Sequence, residues 1–360
     1  MHMRKMAGMA GMAGMAGMAV AAILLLAAGM AQAETTIETV PVGNAGNAGE
    51  WSGESYGGYG PDRICGAVAY EYNIGKYEVT AGQYKDFLNA VAKTDAYGLY
   101  NASMSNTSYG SGITQGGVSG SYSYSVDSAF TNRPVNYVSW YDTIRFANWM
   151  TNGQGSGSTE SGSYTITGGG VNSGTVTIPT AAERAAWSTG AKSYFLLTSE
   201  DEWYKAAYYK GGSTTAGYWD YPTSSNTAPG QDMADVSGNN ANYHTSPYTY
   251  PIDSGKYTTL VGEFENSDSP YGTFDQGGNV WEWNEALISG SFRGLRGGSF
   301  YFIDFYLLAS DRYSCYPPDE YDGVGFRVSE VPEPASMVVF ALGGMGMLVR
   351  RRGLVKYAED

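Results

Sequence analysis

Gly278-Asn279-Val280-Trp281-Glu282-Trp283, followed by Phe292-Arg293-Gly294-Leu295-Arg296-Gly297-Gly298-Ser299, is the stretch on which the fold turns. Val280–Trp283 and Phe292–Arg296 read as short strands, and so do Ala67–Tyr72 and Gly325–Val328. Trp281 and Trp283 read as core residues that also support the neighbouring loop, with ligand stacking as the alternative. Helices are few. Thr80–Ala92 places Tyr84, Phe87, Leu88 and Val91 on one helical face. Ser139 caps a second helix to about Met150, with Trp140, Ile144 and Ala147 on one face. Ser199-Glu200-Asp201-Glu202 forms a capping box and opens a third helix that stops at Gly211-Gly212. Tyr97–Asn132 and Asn152–Thr175, rich in Gly and Ser, read as long surface insertions. Few helices and many short strands joined by long loops predict an α+β domain with extensive irregular structure.

Composition narrows what such a domain does. The chain has 360 residues and a formal net charge of −14. Most basic residues outside the domain cluster at Arg4, Lys5, Arg350–Arg352 and Lys356, so the middle is more acidic than the whole. That argues against a nucleic-acid binder, which needs a basic footprint. Charged residues make up 16% against a usual value of about 25%. The 42% apolar content is enough to bury a core. His244 is the one histidine of the middle, which excludes a multi-histidine metal centre.

The two ends read as addresses. Residues 1–33 run from Arg4 and Lys5 through a Met-Ala-Gly repeat and the apolar Ala19–Ala28 to Ala31-Gln32-Ala33, the pattern of a Sec-type signal peptide. Residues 34–62, rich in Gly, Asn and Ser, read as a flexible linker before a domain spanning 63–330. Val331-Pro332-Glu333-Pro334 then precedes the apolar run 335–349 and Arg350-Arg351-Arg352. The run is short for a span of roughly 20 residues, but the basic cluster supplies a cytoplasmic stop. Together, over 331–352, they resemble the PEP-CTERM sorting signal, with 353–360 as a cytoplasmic tail. The resemblance implies an exosortase-type protease as partner. It also implies transient anchoring in the membrane and delivery to the cell surface, outer envelope or extracellular matrix of a Gram-negative bacterium.

The domain also has a likeness. Gly75–Thr80, Arg133–Trp140, Leu197–Trp203, Tyr271–Asp275, Gly278–Trp283, Arg293–Ser299 and Gly325–Arg327 form an ordered series. It resembles the formylglycine-generating enzyme, or sulfatase-modifying factor, family over roughly Arg63–Glu330. The resemblance implies an irregular variant of the C-type-lectin-like fold. It also implies an oxidase that binds copper(I) through two cysteines, a role that needs soft thiolates. By position those cysteines fall on Phe302 and Leu307, so no copper is expected and no catalytic residue is assigned. Formylglycine-generating activity remains the enzymatic alternative. Two calcium sites are implied as well: Asp275, the Gly278 and Val280 carbonyls and Glu282 at one; Asn242, the Tyr243 carbonyl, Asp253 and the Gly255 carbonyl at the other. These are the hard oxygen donors that calcium prefers. The plain alternative is that Asp275 and Glu282 cap turns while Asn242 and Asp253 are solvated.

Cys65 and Cys315 admit three readings: a structural disulfide, two free buried thiols, or a relocated redox site. The expectation carried forward is the disulfide, which would close a loop of about 250 residues and add roughly 5 kcal/mol on the chain-entropy model. What remains for function is surface. Tyr301, Tyr306 and Tyr313 lie in the segment that replaces the catalytic stretch, and tyrosine among Ser, Gly and Asn is a mixture suited to binding loops. They are the expected contacts to a glycan or protein ligand. Tyr-rich loops packing on themselves, and a purely structural matrix component, are the other readings.

Overall fold

Four capping boxes open the four α-helices of the described residues. The hydroxyls of Thr80, Ser139, Thr180 and Ser199 accept the backbone N–H three residues on, and Gln83, Asp142, Glu183 and Glu202 reach back to the cap N–H. Each box satisfies two donors that a helix start leaves open. The helices are α1 (Ala81–Val91), α2 (Trp140–Thr151), α3 (Ala181–Trp187) and α4 (Glu200–Tyr208). Three match the sequence reading; α3 was missed although Thr180 and Glu183 carry the same signal. α4 ends before Gly211-Gly212 because Tyr209 turns into extended backbone and bridges Tyr218.

The computed structural model describes residues 34–190, 192–245, 252–253 and 255–332. Its strands are β1 (Thr39–Val42), β2 (Glu50–Ser52), β3 (Arg63–Cys65), β4 (Tyr72–Gly75), β5 (Ile113–Gly116), β6 (Ser123–Val126) and β7 (Thr165–Gly170). Then follow β8 (Ser173–Thr177), β9 (Tyr194–Leu197), β10 (Trp281–Ser289), β11 (Phe292–Arg296), β12 (Tyr313–Cys315), β13 (Val324–Gly325) and β14 (Val328–Val331). One four-stranded sheet has the order β1-β4-β14-β9 and is antiparallel where its pairing is recorded. The other has the order β12-β11-β10-β13, with β10 and β13 parallel. The expected strand at Gly325–Val328 is divided: Val324–Gly325 closes one sheet, Val328–Val331 enters the other, and Phe326-Arg327 carries the chain between them. Ala67–Tyr72 is irregular until Tyr72, where β4 begins. The main core packs α1 and α2 against both sheets. At its centre the ring of Phe146 lies 5.3 Å from Phe326 and 5.4 Å from Phe87. Burying each such side chain contributes about 1.5–3 kcal/mol.

Two expectations about loops are corrected. Residues 34–62 are part of the domain rather than a linker, since β1 pairs in register with β4 and Val42 is buried. The Ser52 hydroxyl donates to the Ala309 carbonyl at 2.8 Å, which ties this segment to the far end of the chain. Its Asn and Gly are turn residues: Asn44 and Gly46 both have positive φ. The two insertions are likewise anchored. They fold as the β5–β6 and β7–β8 hairpins, and Leu99, Met104, Ile113, Tyr124, Tyr164 and Ile166 are buried. The expected signal peptide at 1–33, the apolar run 335–349 and the expected tail 353–360 lie outside the described residues. Among the described residues no helix is long and apolar enough to cross a membrane.

Arg327, at the crossing between sheets, is fully buried. It donates through Nε and Nη2 to the two oxygens of Glu282, each at 2.6 Å. It also reaches the carbonyls of Gly75 at 2.9 Å and Phe274 at 2.8 Å. Glu282 accepts the Trp203 indole N–H at 2.7 Å as well. Glu282→Gln should therefore destabilise the domain by about 3–5 kcal/mol in urea unfolding, because it leaves a buried guanidinium without its counter-charge. Lys76→Ala, which removes a solvent-exposed pair with Glu38, should shift stability by less than about 1 kcal/mol.

Candidate functional site

Past β11 the chain makes a tight turn at Gly297 and Gly298, both with positive φ. A Cβ on Gly297 would sit 2.5 Å from the Gln276 carbonyl oxygen, so glycine is required there. The turn delivers Phe302 and Leu307 to different places. Phe302 packs on Trp281, with ring centroids 5.3 Å apart, and on Tyr306 at 4.9 Å. Leu307 is buried in a separate cluster with Tyr221, Ala241 and Tyr243. The positions expected for a copper-binding pair thus hold two hydrocarbon side chains with no sulfur between them.

A cavity of about 450 Å³ remains beside Phe302. Its wall includes Trp281, Tyr301, Phe302 and Tyr313, with Cys315, Asp319 and Asp322 further round. Trp281 stacks on Tyr313 at 5.1 Å, so β10 and β12 together set the floor. Of the three expected ligand-contacting tyrosines, Tyr301 and Tyr313 line this cavity. Tyr306 packs edge-on against Trp281 and Tyr313 and does not line it. Asp319 and Asp322 were missed because nothing in their local sequence separates them from other acidic loop residues. A larger cavity of about 630 Å³ opens between Trp51 and Tyr56 on one side and Tyr209 and Tyr218 on the other. It too was missed, since residues 48–56 read as linker.

Both cysteines are free, which corrects the expected disulfide. Cys65, buried in β3, has its Sγ 3.2 Å from Arg296 Nη2. Cys315 is paired across the sheet with Arg293 and its Sγ lies 3.5 Å from an Asp319 oxygen. From Arg293 to Arg296 the strand covers about 10 Å, and the two thiols turn to different partners along it. Burial pushes the Cys65 thiol up, against the pull of Arg296. Burial, reinforced by Asp319, pushes the Cys315 thiol up to about 12. Neither is poised as a thiolate at neutral pH, which also removes the relocated redox site.

The expected calcium ligands are partly engaged with protein. At the first set, Glu282 is saturated by Arg327 and Trp203, while Asp275 accepts the Gly262 N–H at 2.6 Å. Asp275 and Gly278 have positive φ, as a ligand loop of this shape needs. The adjoining Val280 is buried at the start of β10. At the second set, Asp253 pairs with Arg133 and the Tyr243 carbonyl accepts from Gln231. Gly255 has positive φ. Asn242 is the exception, because its buried Oδ1 has no partner. The two sets adjoin: the Asn279 N–H donates to the Asn242 carbonyl at 2.7 Å. Beside them stands Glu78, which sequence reading missed. Both its oxygens are buried without partners, and burial together with the nearby Asp275 holds its carboxyl well above the usual range. Its signal in the sequence was a carboxylate flanked by the apolar Tyr77 and Val79. Among the described residues no three His, Cys, Asp or Glu side chains come together as a metal site, so any cation here relies on amide and carbonyl oxygens beside one or two carboxylates.

With this geometry in view, the comparisons with known proteins are consistent. Residues 34–331 match the model of the sulfatase-modifying factor enzyme 1-like domain, and the chain belongs to that family. Its fold is therefore the α+β fold of the sulfatase-modifying factor type. Residues 330–352 match the PEP-CTERM protein-sorting motif, which implies export, surface or envelope association, and recognition by an exosortase-type sorting system. No curated protein sequence matches the chain. Among solved structures it is similar to Treponema denticola variable protein 1, at 22% identity over 82% of this chain and 95% of that one, with a TM-score of 0.48. It is also similar to CarF, at 19% identity over 82% and 98%, with a TM-score of 0.46. PvdO from Pseudomonas aeruginosa follows at 18% over 83% and 99%, also with a TM-score of 0.46.

Two measurements check this description. Thiol titration of the unfolded protein without reductant should find both cysteines free, and reductant should leave the melting temperature unchanged. A single disulfide-linked species in mass spectrometry would contradict it. The second concerns Glu200, buried at the start of α4. Burial pushes its carboxyl up, but Arg296, Arg312 and Arg63 outweigh that and hold it at about 2. A depressed carboxylate stabilises the fold above its unfolded value of 4.5, and that contribution is lost as pH falls through about 2. Glu200→Gln should thus cost about 3–5 kcal/mol at neutral pH, and the gap to the parent protein should narrow in urea titrations toward pH 2.

Proposed function

We propose that this is an exported, surface- or matrix-displayed binding protein that uses a sulfatase-modifying factor frame without its oxidation chemistry. The observation that carries the reading is the cavity beside Phe302, which persists although Phe302 and Leu307 stand where copper-binding thiolates would be needed. Its aromatic wall suits ligand capture: rigid, amphipathic rings lose little entropy on contact. Tyr301 and Tyr313 contact the ligand, and Tyr306 holds Trp281 and Phe302 in place behind them. The signal peptide at 1–33 delivers the domain across the inner membrane. The apolar run 335–349 holds it there until the sorting protease acts at the C-terminal motif.

Calcium is part of the proposal. The buried orphan oxygens of Asn242 and Glu78, next to Asp275 and the turn at Gly278, support a structural calcium ion that would complete their coordination. Calcium would stabilise these loops and takes no part in chemistry.

Three outcomes are expected. Tyr301→Ala combined with Tyr313→Ala should abolish retention of the purified protein on isolated extracellular matrix and on a glycan array, while folding is kept. Retention equal to the parent protein would remove this cavity from the function. Chelation should lower the melting temperature by several degrees and added calcium should restore it; an unchanged melting curve would sink the calcium assignment. Incubation with copper and a sulfatase-motif peptide should yield no aldehyde, and aldehyde formation would make the protein an oxidase after all.

A further inference from the structure

We propose that the cavity beside Phe302 is a cage for a small organic cation, an alkylammonium or guanidinium group. This rests on the reading that the cavity binds a ligand and adds the ligand's class. The lining includes the rings of Trp281, which is buried, Tyr301, Phe302 and Tyr313, which are half-buried, and Tyr316 and Tyr321, which are exposed. Aromatic faces attract a cation through their quadrupole, and more strongly where water is excluded. Among the described residues no lysine, arginine or histidine lines the cavity.

Two carboxylates supply the charge. Asp322 accepts the Tyr301 hydroxyl at 3.1 Å, and Asp319 accepts the Tyr321 hydroxyl at 3.2 Å. Neither aspartate is in an ion pair among the described residues, whereas Glu200, Glu202 and Glu282 in the core are each held by arginine. Each hydrogen bond also pulls phenol density toward its ring, because the donor hydroxyl is polarised by a full negative charge. Asp322 is half-buried, and burial holds its carboxyl above the usual range. A cation in the cavity would offset that penalty.

The same geometry disfavours two other ligand classes. Calcium takes six to eight oxygens, and a wall made mostly of rings cannot supply them. A neutral ligand would leave two carboxylates facing an aromatic cavity with no counter-charge. The indole N–H of Trp281, which is 2% exposed, has no protein acceptor. An acceptor close to the cation, such as a hydroxyl, would meet it.

The test uses the purified full chain and reads tryptophan fluorescence together with melting temperature. Choline and acetyl-arginine amide are the free-cation probes, an arginine-containing peptide presents the same group on a polypeptide, and the uncharged tert-butyl isostere of choline is the control. At least one cation should quench emission and raise the melting temperature, while the isostere at equal concentration does neither. Tighter binding of the peptide than of the free probes would assign the cation to a polypeptide side chain, and the reverse would assign it to a small molecule. Asp319→Asn with Asp322→Asn should weaken binding about ten-fold or more. Equal binding of the isostere, or undiminished binding by the double variant, overturns the cation assignment but leaves a working pocket. Failure of every cation to bind also overturns it, and matrix retention by the tyrosine variants then decides separately whether the cavity binds anything. The isostere comparison needs no variant, so it stands even if the double substitution impairs folding.

Discussion

The ion pair between Arg327 and Glu282 is the interaction on which the rest of the structure depends. Both groups are fully buried, and each is satisfied in several directions. Arg327 reads the carbonyls that follow β4 and precede the Gly278 turn, while Glu282 ties β10 to Trp203 on α4. Charges taken this far from water are stable only when geometry and hydrogen bonds compensate their desolvation. Four segments remote in sequence must therefore arrive together. This explains why a domain with short strands and long loops can still have one defined core. A second centre of the same kind lies at Glu200, which receives Arg296 and Arg312 at 2.7 and 2.8 Å and is approached by Arg63 at 3.2 Å.

These buried pairs hold the cavity beside Phe302 in place. Glu282 lies between Trp281 and Trp283 in β10, so the residue that anchors the core also positions the aromatic floor. Arg296 ends β11 just before the Gly297-Gly298 turn that sends Phe302 to the cavity and Leu307 away from it. Beside Phe302 that frame leaves a cavity lined by aromatic rings and by Asp319 and Asp322.

Ordered loops matter as much as strands here. Residues 34–62 look like linker by composition, yet they form the edge of one sheet and one side of the larger cavity. Gly- and Ser-rich sequence fails to bury surface by itself, but a few apolar anchors such as Val42, Met104 and Ile113 are enough when a formed core receives them. Cysteine placement shows the same dependence on context. A secreted chain with two cysteines invites a cross-link, but Cys65 faces an arginine cluster and Cys315 faces Asp319.

By itself the sequence determined the family, the α+β class and three of the four helices among the described residues. These follow from local signals: capping boxes, apolar periodicity, and motifs whose order survives without any contact being known. The fourth helix was legible too, through Thr180 and Glu183. Only the tertiary structure decided that the lead-in is a strand, that the two thiols stay apart, that Tyr306 stands behind the cavity wall, that Glu78 is buried without partners, and that Asp319 and Asp322 line the cavity. Each of those depends on which residues meet in the folded chain, or on burial. Neither pairing nor desolvation is written in a residue's neighbours.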